Sequence, residues 1–246
     1  MQAPSPLKIF VISLERSLDR RKQVEQEMQK ISMSWSFLDA VDGSTLIAPP
    51  IEYKLSKVKR LQGYALTPNE IGCYLSHKEA WKRCVQKNAP TLILEDDFVL
   101  APGFEETLNI LLEAADCWNF IRLQGLYKVH HQILFEKSGV TFVKNEGDAV
   151  GATAYLLKPE IAMQLIKHSK DIYEPVDHFL EHYQKHGLEF LAIHPYPVDI
   201  TRAKSTIADR SERSPIKGLR KRWRSVARMI DRVLSRDPWF PKSSNE

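Results

Sequence analysis

Short apolar runs alternate along the chain with longer stretches in which apolar side chains recur every third or fourth residue. The runs have the length and β-branched character of buried strands, and the longer stretches have the period of helices. Residues 8–14 (KIFVISL) form the first such run. Ser17 and Asp19 then read as turn and capping residues before a helix over 20–31. Residues 35–41 alternate loosely and end at Asp42-Gly43, a second strand and a turn. Residues 46–62, with Pro49-Pro50 and several lysines, read as a loop. Thr67-Pro68-Asn69-Glu70 opens a helix with a cap, a proline in the first position and an acid in the third. Pro90 ends it, and residues 91–94 form a central strand.

Further on, residues 104–115 predict an amphipathic helix, and 119–123, 140–143 and 149–157 predict strands. Helices follow from Pro159 to about His168 and from Pro175 to about His186, and residues 190–193 form a last strand. Strands alternating with helices define an α/β protein with a mostly parallel sheet.

Composition narrows the class. Hydrophobic content of 43% and charged content of 27% suit a soluble globular domain. The apolar runs fall short of the roughly 18 residues that span a bilayer. The N-terminal segment has neither a basic region before its apolar run nor a small-residue cleavage site, so a cytoplasmic location is expected. Cys73, Cys84 and Cys117 are scattered and suit reduced thiols. The net charge of +4 is unevenly spread. Residues 1–210 hold 25 basic and 27 acidic side chains, whereas 211–246 hold ten and four. The chain therefore divides into a mildly acidic body and a basic tail.

The chemistry concentrates where the central strand ends, at Glu95-Asp96-Asp97. Ligands of open α/β sheets bind beyond the carboxyl ends of strands. Three adjacent carboxylates there call for a divalent cation shared with a polyphosphate, because Mg²⁺ and Mn²⁺ prefer hard oxygen ligands. The first strand ends beside Arg16, Arg20 and Arg21, cations suited to a diphosphate, and its free backbone groups can pair with a nucleobase. No GxGxxG or GxxxxGK[ST] motif is present, which argues against a dinucleotide fold or a P-loop. Asp177 follows a proline at a helix start, where an ionised carboxylate can face a cleft.

Six motifs occur in order: FVISLERSLDRR (10–21), LTPNEIGCYLSHKEAW (66–81), LEDD (94–97), GATAYLL (151–157), PVD (175–177) and STI (205–207). Together they resemble glycosyltransferase family 25, the lipopolysaccharide and lipooligosaccharide glycosyltransferases related to collagen galactosyltransferases. The resemblance implies a GT-A type fold, a Rossmann-like mixed sheet flanked by helices. It also implies a UDP-sugar donor, most often UDP-galactose, Mn²⁺ or Mg²⁺, and a saccharide acceptor. By resemblance Asp97 coordinates the metal with Glu95, which otherwise contacts ribose or a metal-bound water. Asp96 points back toward the sheet or holds donor-sugar hydroxyls. Ser13, Leu14 and Arg16 line the uridine pocket, and Arg20, Ser76, His77 and Thr153 belong to the donor or acceptor site. Asp177 is the general base of an inverting transfer, with Glu174 and Asp171 as runners-up. Asp199 or His194 supplies a further metal ligand, although the family often carries glutamine where Asp199 aligns. Ser205 and Thr206 hold phosphates when a C-terminal loop closes.

Residues 217–236 carry eight basic side chains and one acid, with Leu219, Trp223, Val226, Ile230, Val233 and Leu234 in a helical stripe. Such a helix suits an anionic membrane surface better than nucleic acid, for which nothing else in the chain speaks. A peripheral position at the inner face of a bacterial inner membrane, with an acceptor on lipid A or its oligosaccharide, is the expectation. A metal-dependent nucleotide phosphohydrolase and a non-catalytic sugar-nucleotide-binding protein are the alternatives.

Overall fold

In a computed structural model, residues 7–182, 186–188 and 190–201 are described. Strands β1 (Lys8–Ser13), β2 (Ser36–Asp39) and β3 (Thr91–Glu95) lie parallel, with β1 in the middle. Strand β8 (Ala154–Leu157) runs antiparallel between β3 and β5 (Phe120–Arg122). Strand β9 (Leu191–His194) is parallel to β5, and β7 (Val140–Asn145) and β6 (His131–Lys137) complete the sheet in the order β2-β1-β3-β8-β5-β9-β7-β6. A short ribbon pairs β4 (Phe98–Leu100) with β10 (Val198–Ile200) just beyond the acids.

Among the described residues the sheet is mixed rather than mostly parallel. Three strand pairings are parallel and four are antiparallel. Direction along a strand leaves no mark on its apolar pattern, so the reversal of β8 and β7 is set by where the chain returns. Nonetheless β2, β1, β3, β5 and β9 all end at the same edge of the sheet. The mixed α/β sheet flanked by helices is as expected, and the C-terminal amphipathic helix lies outside the described residues.

Both faces of the central strands are buried, which is why they read as continuous apolar runs. Alternate residues separate into two cores. Phe10, Ile12 and Ile93 face one that is closed by α3 (Pro68–Lys87), α5 (Pro159–His168) and α6 (Val176–Glu181). Ile9, Val11, Leu92 and Leu94 face the other, under α1 (Leu18–Met28) and α4 (Phe104–Glu113).

Helix α3 positions the site. Thr67 Oγ1 accepts from the Glu70 amide at 3.2 Å, and the Glu70 carboxylate accepts from the Thr67 amide at 2.9 Å. That reciprocal cap, with Pro68 at the first helical position, starts the helix where the sequence places it. Gly43 and Gly72 let the helix approach the loop after β2. A Cβ on Gly72 would lie 2.5 Å from the Val41 carbonyl oxygen, and one on Gly43 would lie 2.2 Å from that of Pro68.

Several local readings change. Helix α2 (Leu55–Leu61) lies within the stretch read as a loop, anchored by the buried Val58 and Leu61. Two anchors are too few to register as a period. Strand β6 escapes because it is an edge strand with mostly exposed side chains. It joins β7 through Ser138-Gly139, both at positive φ, a tight hairpin turn. Strand β8 starts at Ala154 because the preceding backbone bends through positive φ at Val150 and Gly151. Helix α6 ends at Glu181, short of His186.

Candidate active site

The carboxyl ends of β1 and β3 and the start of α3 enclose a cleft of about 280 Å³. It is lined by Ser13, Leu14, Arg16, Arg20, Cys73 and Ser76, with Glu95, Asp96 and Asp97 along one side.

The three acids have different surroundings. Asp96 turns toward β1 and α1: Ser13 Oγ donates to its Oδ2 at 2.8 Å, and Arg20 Nη1 donates to its Oδ1 at 2.7 Å. Glu95 turns toward α3 and β8. Its Oε1 lies 3.1 Å from His77 Nε2 and 3.4 Å from Cys73 Sγ, and its Oε2 accepts from Thr153 Oγ1 at 3.0 Å. Burial works to raise the Glu95 pKa, but the hydrogen bonds from His77, Thr153 and Cys73 outweigh it and hold the carboxyl below its ordinary value.

Asp97 is the exception. Its Oδ1 is buried without a protein partner among the described residues. Burial first, then the charges of Glu95 and Asp96, push its carboxyl up to about 7, with Arg20 offsetting only part. An orphaned carboxylate oxygen beside two further acids is what a divalent cation would satisfy. The residues therefore fit a hard cation, with Asp97 as its principal ligand. Asp199 stands on β10 opposite Val99, two residues along the ribbon from Thr201, whose amide donates to the Asp97 carbonyl at 2.7 Å. Its side chain is exposed and accepts from the Ile200 amide. His194 ends β9, three strand spacings from β3, or about 14 Å across the sheet, and stacks on His131 at 4.4 Å.

The arginines anticipated as diphosphate ligands already hold acids. Arg16 pairs with Asp42, its Nη2 3.1 Å from Oδ1, and the guanidinium together with Ser44 holds Asp42 well below the usual carboxylate range. Arg20 pairs with Asp96. Arg21 pairs with Asp39 and donates to the carbonyls of Ser13 at 3.0 Å and Leu14 at 3.2 Å. Those two carbonyls are thus occupied, which the reading of free backbone groups at the β1 end had not foreseen.

His77 and Ser76 sit deeper than expected. His77 is fully buried, its Nδ1 2.8 Å from Tyr155 Oη, which also accepts from Trp81 Nε1 at 2.8 Å. With hydrogen on Nε2, His77 donates to Glu95 and accepts from Tyr155, so every polar hydrogen in the chain of contacts is used. Ser76 Oγ donates to the Gly72 carbonyl at 2.7 Å and accepts from the Val41 amide at 2.8 Å, tying α3 to the loop after β2.

Of the three candidate bases, Asp177 lies in the second position of α6. It is half-buried and accepts from the His178 amide at 2.8 Å. The N-cap residue, Pro175, supplies no side-chain cap, and the Asp177 bond to the His178 amide satisfies one of the first-turn N–H groups. The Asp177 charge acts on the Cys73 thiol, which burial, Glu95, Asp177 and Asp97 together raise well above its ordinary pKa. Asp171 lies 3.8 Å from Lys54 at the surface, and Glu174 is buried 2.8 Å from His182. Cys73, which touches Glu95, and Tyr155 and Trp81, which support His77, were missed. Positions 73, 77 and 81 share one face of α3, and that spacing was the available signal. Ser205 and Thr206 lie outside the described residues.

A cleft at the carboxyl ends of parallel strands, lined by acids and arginines, is where open α/β sheets bind their ligands. The chain belongs to glycosyltransferase family 25: the model for that family, described as "Glycosyltransferase family 25 (LPS biosynthesis protein)", matches residues 7–180. Human "Inactive glycosyltransferase 25 family member 3" is 30% identical over 207 residues, covering 78% of this chain and 34% of the relative. Human "Procollagen galactosyltransferase 2" is 32% identical over 116 residues, covering 44% of this chain and 18% of that protein. The chain thus spans about a third or less of these curated relatives. A crystal structure of a glycosyltransferase involved in glycosylation of the major capsid of PBCV-1 overlaps 66% of each chain with TM-score 0.31 and 8% identity, too slight a likeness to argue from. No helix among the described residues is long and apolar enough to cross a membrane.

Proposed function

We propose that this chain is a metal-dependent glycosyltransferase that moves a hexose, galactose first, from a UDP-sugar to a lipooligosaccharide or lipopolysaccharide acceptor with inversion. The observation that carries the reading is the buried Asp97 Oδ1 just beyond β3, without a partner among the described residues, in a cleft where Glu95 and Asp96 already have protein partners. Asp97 holds Mn²⁺ or Mg²⁺, with Asp199 as a further oxygen donor, while Glu95, whose two oxygens already have protein partners, faces ribose or a metal-bound water. When bound, the ion stabilises negative charge on the departing diphosphate.

The chain's own residues do the rest. Ser13, Leu14 and Arg16 border the uridine pocket, and the Asp96–Arg20 pair keeps the acid turn rigid against α1. His77 and Thr153 hold Glu95 in one rotamer. Asp177, on the same side as Cys73, removes the proton from the acceptor hydroxyl as that oxygen attacks the sugar. Ser205 and Thr206 reach the donor phosphates. The basic tail brings the protein to the cytoplasmic surface of an anionic membrane, where a lipid-linked acceptor lies.

A panel of UDP-sugars, with and without an acceptor glycan and a divalent metal, tests this. Metal-dependent UDP release that requires the acceptor supports transfer. Phosphate-bond hydrolysis without an acceptor would make the chain a phosphohydrolase. Several relatives are named as "inactive" or "probable inactive", which favours a second reading, a binding protein without turnover. Metal-dependent UDP binding with no product from any donor would establish it.

A further inference from the structure

We infer that Cys73, His77 and Glu95 form a site for a thiophilic divalent cation of the zinc class, beside and distinct from the hard-cation position at Asp97. Cys73 and His77 are four residues apart on α3, so both side chains leave the same face of the helix. Glu95, the last residue of β3, meets them there. The three ligand atoms lie within 4.8 Å of one another.

Two of the three separations come close to those of a tetrahedral site. Ligands at about 2.1 Å for nitrogen or oxygen and about 2.3 Å for sulfur stand roughly 3.3–3.7 Å apart when they share one tetrahedral ion. His77 Nε2 is 3.1 Å from Glu95 Oε1, and Cys73 Sγ is 3.4 Å from the same oxygen. These two separations are within a few tenths of an ångström of the tetrahedral values, and the third, between Cys73 Sγ and His77, is within 4.8 Å. Thr153 holds Oε2, which leaves Oε1 as a single ligand. His77 is fully buried, whereas Cys73 and Glu95 border the cleft, so the fourth position opens toward it.

Outer contacts orient the ligands. Tyr155 lies 2.8 Å from the second nitrogen of His77 and is itself held by Trp81, the kind of support that fixes a metal-binding imidazole. On coordination the Cys73 thiol proton leaves to solvent, and His77 carries its remaining hydrogen on Nδ1, toward Tyr155. Sulfur, nitrogen and oxygen together select zinc or cadmium over Mg²⁺, which requires oxygen ligands. Two neighbouring positions therefore sort cations by softness.

Cd²⁺ and Zn²⁺ alone, added to the full chain, test the site by equilibrium dialysis and ultraviolet absorption. One Cd²⁺ should bind per chain with a thiolate-to-cadmium charge-transfer band. Zn²⁺ should displace it, and a large excess of Mg²⁺ should not. Cys73→Ser, a near-isosteric change, should abolish the band and weaken binding at least about tenfold, the scale of a damaged metal shell. Cys117→Ser, at an exposed thiol, should change neither. No bound Cd²⁺, a band that survives Cys73→Ser, or displacement by Mg²⁺ would each overturn the proposal. Because the readout is metal binding, its failure is distinct from failure of the transferase reading.

Discussion

Three neighbouring carboxylates in the sequence become three different chemical groups in the fold. Asp96 is neutralised by an arginine 76 positions away in the chain and by a serine 83 positions away. Glu95 is held by a histidine on α3 and a threonine just before β8, and Asp97 keeps an oxygen without a partner among the described residues. The presence of acids was legible in LEDD, but their division of labour was not, because each partner is supplied by tertiary contact. On the transferase reading, Asp97→Asn should abolish Mn²⁺-dependent UDP binding and transfer while thermal unfolding still shows a cooperative transition. Near-normal UDP binding would remove Asp97 from the site. Asp177→Asn should leave UDP-sugar binding almost intact and lower kcat by about 10²-fold or more, the scale of a lost general base. Wild-type kcat would exclude Asp177 as base.

At the scale of elements, α3 carries most of the site, and its start was fully readable: Thr67, Pro68 and Glu70 form the expected cap. The glycines that let it dock were not, since their reason lies in the facing backbone. Gly72→Ala should therefore lower stability by about 1–3 kcal/mol, as overpacking does, with the denaturant midpoint as the measure. An unchanged midpoint would show that the loop after β2 yields freely. His186, between α6 and β9, donates from Nε2 to the Phe179 carbonyl at 3.3 Å and accepts from the Leu188 amide on Nδ1. Burial, then His168 and His182, lower its pKa from 6.5 to about 3, with the Phe179 carbonyl and Glu174 offsetting part. The folded chain keeps this ring neutral, while the unfolded chain protonates it below about 6.5. Its stabilising effect is thus complete above that pH and is lost as pH falls toward about 3. His186→Gln should flatten the fall in melting temperature between pH 7 and about 4.5. An unaltered slope would assign the acid sensitivity to other groups.

For the whole molecule, the proposed reading assigns chemistry to the acidic body and location to the basic tail. A chain truncated at Arg210 should keep activity on a soluble acceptor analogue and lose salt-sensitive binding to anionic liposomes. Each basic side chain near a charged bilayer adds roughly 1 kcal/mol, screened by salt. Loss of activity on the soluble acceptor, or unchanged liposome binding, would contradict a purely anchoring tail.

The sequence by itself determined the strands of the central sheet, the helix that meets them, the acidic end of β3 and membership of family 25, because these rest on local periodicity, capping and ordered motifs. Tertiary structure alone decided that β8 and β7 run against their neighbours, that α2 is helical, and that Arg16, Arg20 and Arg21 are each committed to an acid. It also decided which carboxylate keeps an oxygen without a partner among the described residues. The physical reason is the same in each case: burial and pairing depend on residues far apart in the chain, and local pattern carries no record of who the partner will be.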